Sequence, residues 1–305
     1  MRILGAIVAV CFTAMIAIIT LSVIKRAAFE SPQSPMSPHI AVIDISGVIY
    51  SSQTFIKEIE QVEQSKQCKA LVIRINSPGG VVGPSQEMFE AIKALDQKIP
   101  VIISMGSLAA SGGYYAALGG RKIFANPGTL TASIGVIMEL MNTEKLLDWA
   151  KVERFAIKAG KLKDVGSPTR KMLPEEKAFL QSLLNDVHLQ FRMAVKERRK
   201  LTDEELEQAT DGRVMTGSQA KQAKLVDALG GYQDAVKEAR KLAKLPETAP
   251  VIVKEPQRGL LKNLLLGSES EEESRWDKIF NSLAQGLQLI TSSSHWRVLY
   301  LSPIQ

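Results

Sequence analysis

Three glycine-rich stretches bring together the small residues that acyl-transfer chemistry uses. They are Asn76-Ser77-Pro78-Gly79-Gly80, the run from Met105 to Tyr115 (MGSLAASGGYY), and the run from Gly128 to Val136 (GTLTASIGV). Glycine permits unusual dihedrals and close approach of a ligand to the backbone. In the second stretch Ser111 stands between Ala109-Ala110 and Gly112-Gly113. Acyl transfer needs a nucleophile and backbone N–H groups aimed at the developing oxyanion. Ser111 offers the hydroxyl, and Gly79 or Gly80 with the N–H of Gly112 could offer the donors. Taken alone, the same serine also reads as an N-cap, because Tyr114 to Leu118 can continue as a helix. The neighbouring Pro-Gly-Gly shifts the balance towards a nucleophile.

A hydroxyl nucleophile needs a base. The three histidines are His39 at the start of the folded part, His188 in a long helical pattern and His295 in the tail. None has the glycine-rich or carboxylate-bearing surroundings of a triad. Lysine can serve instead if burial lowers its pKa from about 10.4 towards about 7–8. A shift of about three units corresponds to about 4 kcal/mol, within what a desolvated pocket imposes. The segment Lys158 to Pro168 (KAGKLKDVGSP) is the best local candidate, a glycine-containing loop after the strand-like Arg154 to Ile157. Read locally, it is also an ordinary basic surface loop.

The elements that must position these groups alternate. His39 to Ile49 is a β-branched run that predicts a buried strand, as do Ala70 to Ile75 and Val101 to Met105. Between them, Thr54 to Gln67 and Pro84 to Leu95 have apolar residues at helical spacing. This order predicts an α/β domain with a mainly parallel sheet. The first two glycine-rich stretches then lie beyond the carboxyl ends of strands, where open α/β sheets bind ligands. Leu173 to Arg199 predicts a long helix, with Pro174 acceptable in its first turn and Glu175 and Glu176 at the positive end of its dipole.

At 305 residues the chain can hold one large domain with a membrane segment and a tail. Residues 3–24 carry no charge, long enough to cross a bilayer, and Lys25-Arg26 follow directly. An uncleaved anchor over residues 1–26 fits better than a signal peptide, whose apolar core is shorter. Residues 27–38, with Pro32, Pro35 and Pro38, form a tether. The catalytic domain is expected over 39–245. A tail over 246–305 holds the acidic run Ser268 to Ser274 and an amphipathic helix from Trp276 to Ile290. The net charge of +6 involves no arginine block interleaved with aromatics, so no nucleic-acid partner is expected. Cys11 and Cys68 suggest no disulfide framework. No metal motif and no Walker-type loop is present, so no cofactor and ATP-independent hydrolysis are expected.

The ordered set SPGG, ASGGYYAA, TASIGV and KAGKLKDVGSP, with the later Asp211 to Gly217 (DGRVMTG) and Leu225 to Gly230 (LVDALG), resembles the signal peptide peptidase A family of bacterial serine peptidases in its short form. The resemblance runs from about Ile40 to about Leu242. It implies a Clp protease/crotonase-like fold of stacked ββα units behind an N-terminal transmembrane helix. It implies Ser111 as nucleophile and Lys163 as general base, with Lys161 the lesser alternative. It further implies an oxyanion hole from Gly79 or Gly80 with Gly112, and Ser133 as a hydroxyl that holds the lysine. The resemblance also implies ring-shaped homo-oligomers at the inner membrane, contact with lipid through residues 3–24, and an extracytoplasmic catalytic domain. The implied substrates are remnant signal peptides and other hydrophobic peptides. Thr131-Ala132-Ser133 departs from the Thr-Gly-Ser expected there and leaves Ser133 unchanged. Two other readings compete, a crotonase-like acyl-CoA enzyme and a non-catalytic membrane ring scaffold. The peptidase reading expects a buried, uncharged amine within hydrogen-bonding reach of an exposed hydroxyl.

Overall fold

Uninterrupted β-branched runs need burial on both faces, and a parallel sheet covered by helices provides it. A computed structural model describes residues 37–253 and 299–301. The expected anchor, most of the tether, the acidic run and the expected tail helix lie outside the described residues. Among the described residues, no helix is long and apolar enough to cross a membrane.

The chain opens with β1 (His39–Ser46), α1 (Gln53–Gln64), β2 (Cys68–Ser77), the short β3 (Gly79–Val81) and α2 (Val82–Asp96). Next come β4 (Val101–Ala110), α3 (Gly112–Ala117), β5 (Lys122–Ala125), β6 (Leu130–Ala132), α4 (Glu144–Trp149) and α5 (Pro174–Arg199). The remainder is α6 (Asp203–Ala209), β7 (Val214–Thr216), α7 (Gly217–Gln222), β8 (Ala228–Leu229), α8 (Tyr232–Leu242), β9 (Val251–Val253) and β10 (Leu299–Leu301). The main sheet runs β7-β6-β4-β2-β1-β9, with β5 joining β4 to β8. Its pairings are parallel except β6 with β7.

The strands and helices predicted from His39 to Met105 and over Leu173 to Arg199 are present, and the three β-branched runs are the middle of the sheet. One difference matters for the site. The third strand does not stop at Met105 but continues to Ala110. It changes partner on the way: Ile102 to Ser104 pair with β5, and Leu108 to Ala110 pair with β6. The sheet thus forks along β4 and delivers the second glycine-rich stretch alongside the third. A second difference concerns Arg154 to Ile157, read as strand-like. That segment is irregular and exposed. A strand exists only through its ladder, and no described strand lies beside this one to pair with it.

Helices cover both faces. On one, Ile59, Phe89, Ile92 and Phe191 pack over Ile43, Ile73 and Ile103; on the other, Ala235, Val236 and Ala239 of α8 pack over Val42, Val72 and Ile102. Tyr115 of α3 links two helices, with its ring edge-on to Phe89 at 5.4 Å and tilted against Phe191 at 4.6 Å. Phe191 is wholly buried, so α5 locks the short helix that follows Ser111. Phe191→Ala is expected to lower stability by about 3–5 kcal/mol, the range for deleting a buried aromatic ring. Urea unfolding followed by fluorescence checks it.

Candidate active site

Ser111 ends β4 and caps α3. Its backbone sits at φ 52°, ψ −119°, a region that L-residues rarely adopt. Such a residue costs on the order of 1–3 kcal/mol and persists only where its surroundings enforce it. Here its N–H donates to the Ala132 carbonyl at 2.8 Å, and the Tyr115 N–H donates to the Ser111 carbonyl at 2.8 Å. The strand on one side and the helix on the other therefore leave no room for relaxation. Ala132 and Ser133, across from it, also have positive φ, at 63° and 51°. The sheet register pairs Ala110 with Ala132, the residues just before Ser111 and Ser133. The Ser133 N–H donates to the Arg213 carbonyl at 2.9 Å, which ties this loop to the DGRV segment.

The first glycine-rich stretch comes in from the other side. Ser77 Oγ donates to the Gly47 carbonyl at 2.6 Å and accepts from the Gly79 N–H at 3.1 Å, which fixes the turn through Pro78. A Cβ on Gly113 would stand 3.0 Å from the Ser77 carbonyl oxygen, so glycine there lets α3 rest on the end of β2. A Cβ on Gly80 would fall 2.1 Å from the Ile49 carbonyl oxygen, so only glycine fits beside that backbone. The fold thus gathers Ser77, Gly79, Gly80, Ser111, Gly112 and Ser133 in one place. Along β3, Leu299–Leu301 add as an antiparallel strand, with Tyr300 opposite Gly80. That strand also lies against α3.

Sequence reasoning did not single out Thr131 or Tyr114. Thr131 Oγ1 donates to the Ala109 carbonyl at 2.7 Å and fastens β6 to the end of β4. Tyr114 donates to the Leu225 carbonyl at 2.8 Å, and burial pushes its phenol well above the usual range. It stays neutral and anchors α3. His188 stays structural, with its Nε2 close to the Ile134 and Thr210 carbonyls at 3.2 and 2.9 Å.

Lys163 is placed differently. It lies on an exposed turn between α4 and α5, and its N–H donates to the Gly160 carbonyl at 3.2 Å. Ser111, by contrast, has 0% exposure, and its Oγ has no hydrogen-bond partner among the described residues. Within one chain the hydroxyl is buried and the amine exposed, the reverse of the expected arrangement, and no hydrogen bond joins them. The turn does separate its lysines. Lys158 pairs with Asp164, and Lys161 with Glu175 at 2.6 Å. Lys163 has no carboxylate partner among the described residues.

Among the described residues no group of His, Cys, Asp and Glu is arranged to hold a metal ion.

Comparison with known proteins decides the class. The model for peptidase family S49 matches residues 93–246, half of the chain, and the Clp protease model matches residues 41–131. The chain belongs to peptidase family S49. It is therefore of the serine peptidase class, on a mixed α/β, Clp protease-like domain. It is 40% identical over 243 residues to slr0021 of Synechocystis sp., a protein with a provisional protease name, covering 79% of this chain and 87% of that one. It is 35% identical over 208 residues to the chloroplastic serine protease SPPA of Arabidopsis thaliana, covering 68% of this chain and 31% of that one. It is 35% identical over 218 residues to Protease 4 of Salmonella typhi, covering 68% of this chain and 35% of that one. The chain thus spans about a third of the length of these two longer relatives.

An unpaired hydroxyl buried in strained backbone costs stability. Ser111→Ala is expected to raise the melting temperature, since it removes the buried unpaired hydroxyl. Ser111→Gly is expected to raise it further, by the equivalent of about 1 kcal/mol of stability, because glycine tolerates positive φ. Calorimetry of the three proteins checks this order, and a fall in both variants would contradict stored strain.

Proposed function

We propose that this S49 chain is a membrane-anchored serine endopeptidase in which Ser111 is acylated by peptide substrate and Lys163 is the general base. The observation that carries this reading is Ser111 itself: strained, buried and unpaired, between two glycine-rich loops. The Lys163 amine accepts the Ser111 proton as Oγ attacks the carbonyl carbon and then passes it to the leaving amine. Water, activated by the same amine, releases the acyl group. The oxyanion takes its hydrogen bonds from the N–H of Gly112 and, across the cleft, from that of Gly80. Gly80 is preferred to Gly79 because Ser77 Oγ holds the Gly79 N–H within the turn, whereas the strand Leu299–Leu301 beside Gly80 would give way to substrate. Ser133, next to Ser111 in register, holds the amine in place.

Substrate enters as an extended strand along β3. The pairing of Leu299–Leu301 with that strand supports this mode, since β3 offers its backbone to an antiparallel peptide. Hydrophobic peptides, including signal-peptide remnants, are the proposed substrates. Residues 3–24 anchor the chain in the inner membrane, with the catalytic domain on the extracytoplasmic side.

The separation of Ser111 from Lys163 is closed by assembly. The segment around Lys163 exposes Met141 (75%), Trp149 (80%), Phe155 (86%) and Ile157 (95%). Large apolar side chains this exposed mark an interaction surface. In the proposed ring, a neighbouring copy covers them and brings Lys163 to Ser111 in a desolvated pocket.

Ser111→Ala and Lys163→Ala are each expected to abolish peptide hydrolysis, and Lys163→Arg to fail too, because guanidinium cannot act as a base. A fluorophosphonate probe is expected to label Ser111 in the parent, which a crotonase-like acyl-CoA enzyme would not show. Mixing the two inactive alanine variants under subunit exchange is expected to restore part of the activity. Full activity in Lys163→Ala would remove the lysine from the mechanism, and no recovery on mixing would place both groups in one chain.

A further inference from the structure

An exposed lysine on an irregular turn ordinarily needs no framework, yet the turn that carries Lys163 has one. Arg170 places its guanidinium between two carboxylates. Its Nε donates to Asp164 Oδ2 at 3.0 Å and its Nη2 to the Asp164 backbone carbonyl at 3.1 Å. Its Nη1 and Nη2 grip Glu176 Oε2 and Oε1 at 2.9 and 2.5 Å, and Nη1 also reaches the Lys171 carbonyl at 3.1 Å. Five acceptors therefore meet the five N–H groups of one guanidinium.

Each end of this clamp is itself fixed. Glu176 is 2% exposed and accepts the Leu173 N–H at 2.9 Å, which sets it into the first turn of α5. Asp164 is the residue next to Lys163, and both its side chain and its backbone are held. The clamp thus joins the rigid start of a 26-residue helix to the peptide unit beside the lysine. Gly160 and Gly166, at φ 98° and 73°, bend the chain at the two ends of the turn. Val165 is buried beneath it. The Thr143 N–H and Oγ1 both donate to the Pro168 carbonyl, at 2.6 and 3.0 Å. The remaining charges facing the turn are engaged as well, Lys158 with Asp164 and Lys161 with Glu175.

We propose that Arg170 is a positioning residue for catalysis, fixing the turn so that Lys163 is presented outward to the nucleophile at one height and angle. This rests on Lys163 being the base. The charge state of the clamp is durable. The Arg170 hydrogen bonds and the Leu173 N–H hold the Glu176 carboxyl down to about 2. Hydrogen bonds from Arg170 and then Lys158 hold the Asp164 carboxyl well below the usual carboxylate range. The Asp164 grip is what transmits position to Lys163.

The test uses the full-length protein in detergent and reads kcat and KM separately on a fluorogenic peptide. Arg170→Lys keeps the charge and loses the planar fork. It is expected to lower kcat by about 10²-fold, the scale for a displaced catalytic group, with KM within about twofold. Arg170→Ala is expected to be as slow, and added guanidinium ion to recover at least about 10-fold of the loss, which a simple folding defect would not allow. Should the arginine variants fail to fold, Asp164→Asn serves instead, because it keeps shape and an acceptor oxygen. Its expected loss in kcat is about 10-fold. A kcat within about twofold of the parent in Arg170→Lys or Asp164→Asn, with Lys163→Ala inactive, would overturn the positioning role alone. An active Lys163→Ala would overturn both this role and the base assignment beneath it.

Discussion

Ser111 is held in its conformation by a hydrogen bond on each side, one from the sheet and one from the helix. The N–H to Ala132 continues the β4–β6 ladder, and the carbonyl to Tyr115 begins α3. A residue pinned in this way cannot rotate out of its unfavourable φ. The rest of the structure follows from meeting that constraint. β4 must run straight to Ala110, so the sheet must fork to supply it with a second partner. Thr131 must fasten the fork, and Phe191 must hold α3 down through Tyr115. Gly113 must be glycine so that the helix can approach Ser77.

The turn proposed to carry the base obeys a different logic. Lys163 belongs to a segment with few apolar anchors and many charges, and its turn is built from ion pairs and bent glycines rather than from the core. Such a segment can be ordered while staying outside the hydrophobic interior. Trp149, Phe155 and Ile157 in the same segment are exposed, and the proposed ring would cover them. Rigidity near Ser111 comes from backbone ladders, and rigidity near Lys163 comes from Arg170. In the proposed mechanism both would satisfy the same need, because acyl transfer tolerates little displacement of the groups that exchange a proton.

The likeness between this chain and its S49 relatives fits that division. The matched region, residues 93–246, includes both the strained serine and the lysine turn. The Clp protease model stops at residue 131, before the lysine turn begins. The Clp protease-like region therefore holds Ser111 and its glycine-rich surroundings, and the segment that carries Lys163 lies within the S49 match alone.

Much of this was legible in the residues themselves. β-branched runs such as Ala70 to Ile75 can only be buried strands, and the apolar spacing of Ile56, Ile59 and Val62 can only be satisfied by a helix. The flanking glycines marked Ser111, because close backbone approach excludes larger residues wherever it occurs. What the chain could not disclose locally was the continuation of β4 past Gly106, since a strand's end depends on where its partner ends. Arg154 to Ile157 misled for the same reason: β-propensity without a ladder does not make a strand. Arg170 carried no signal, because six residues separate it from each carboxylate it grips and no local pattern links them. Sequence determined which groups are present and which backbone freedoms they need. The fold alone decided which of them meet, because burial and charge pairing depend on contacts between residues far apart in the chain.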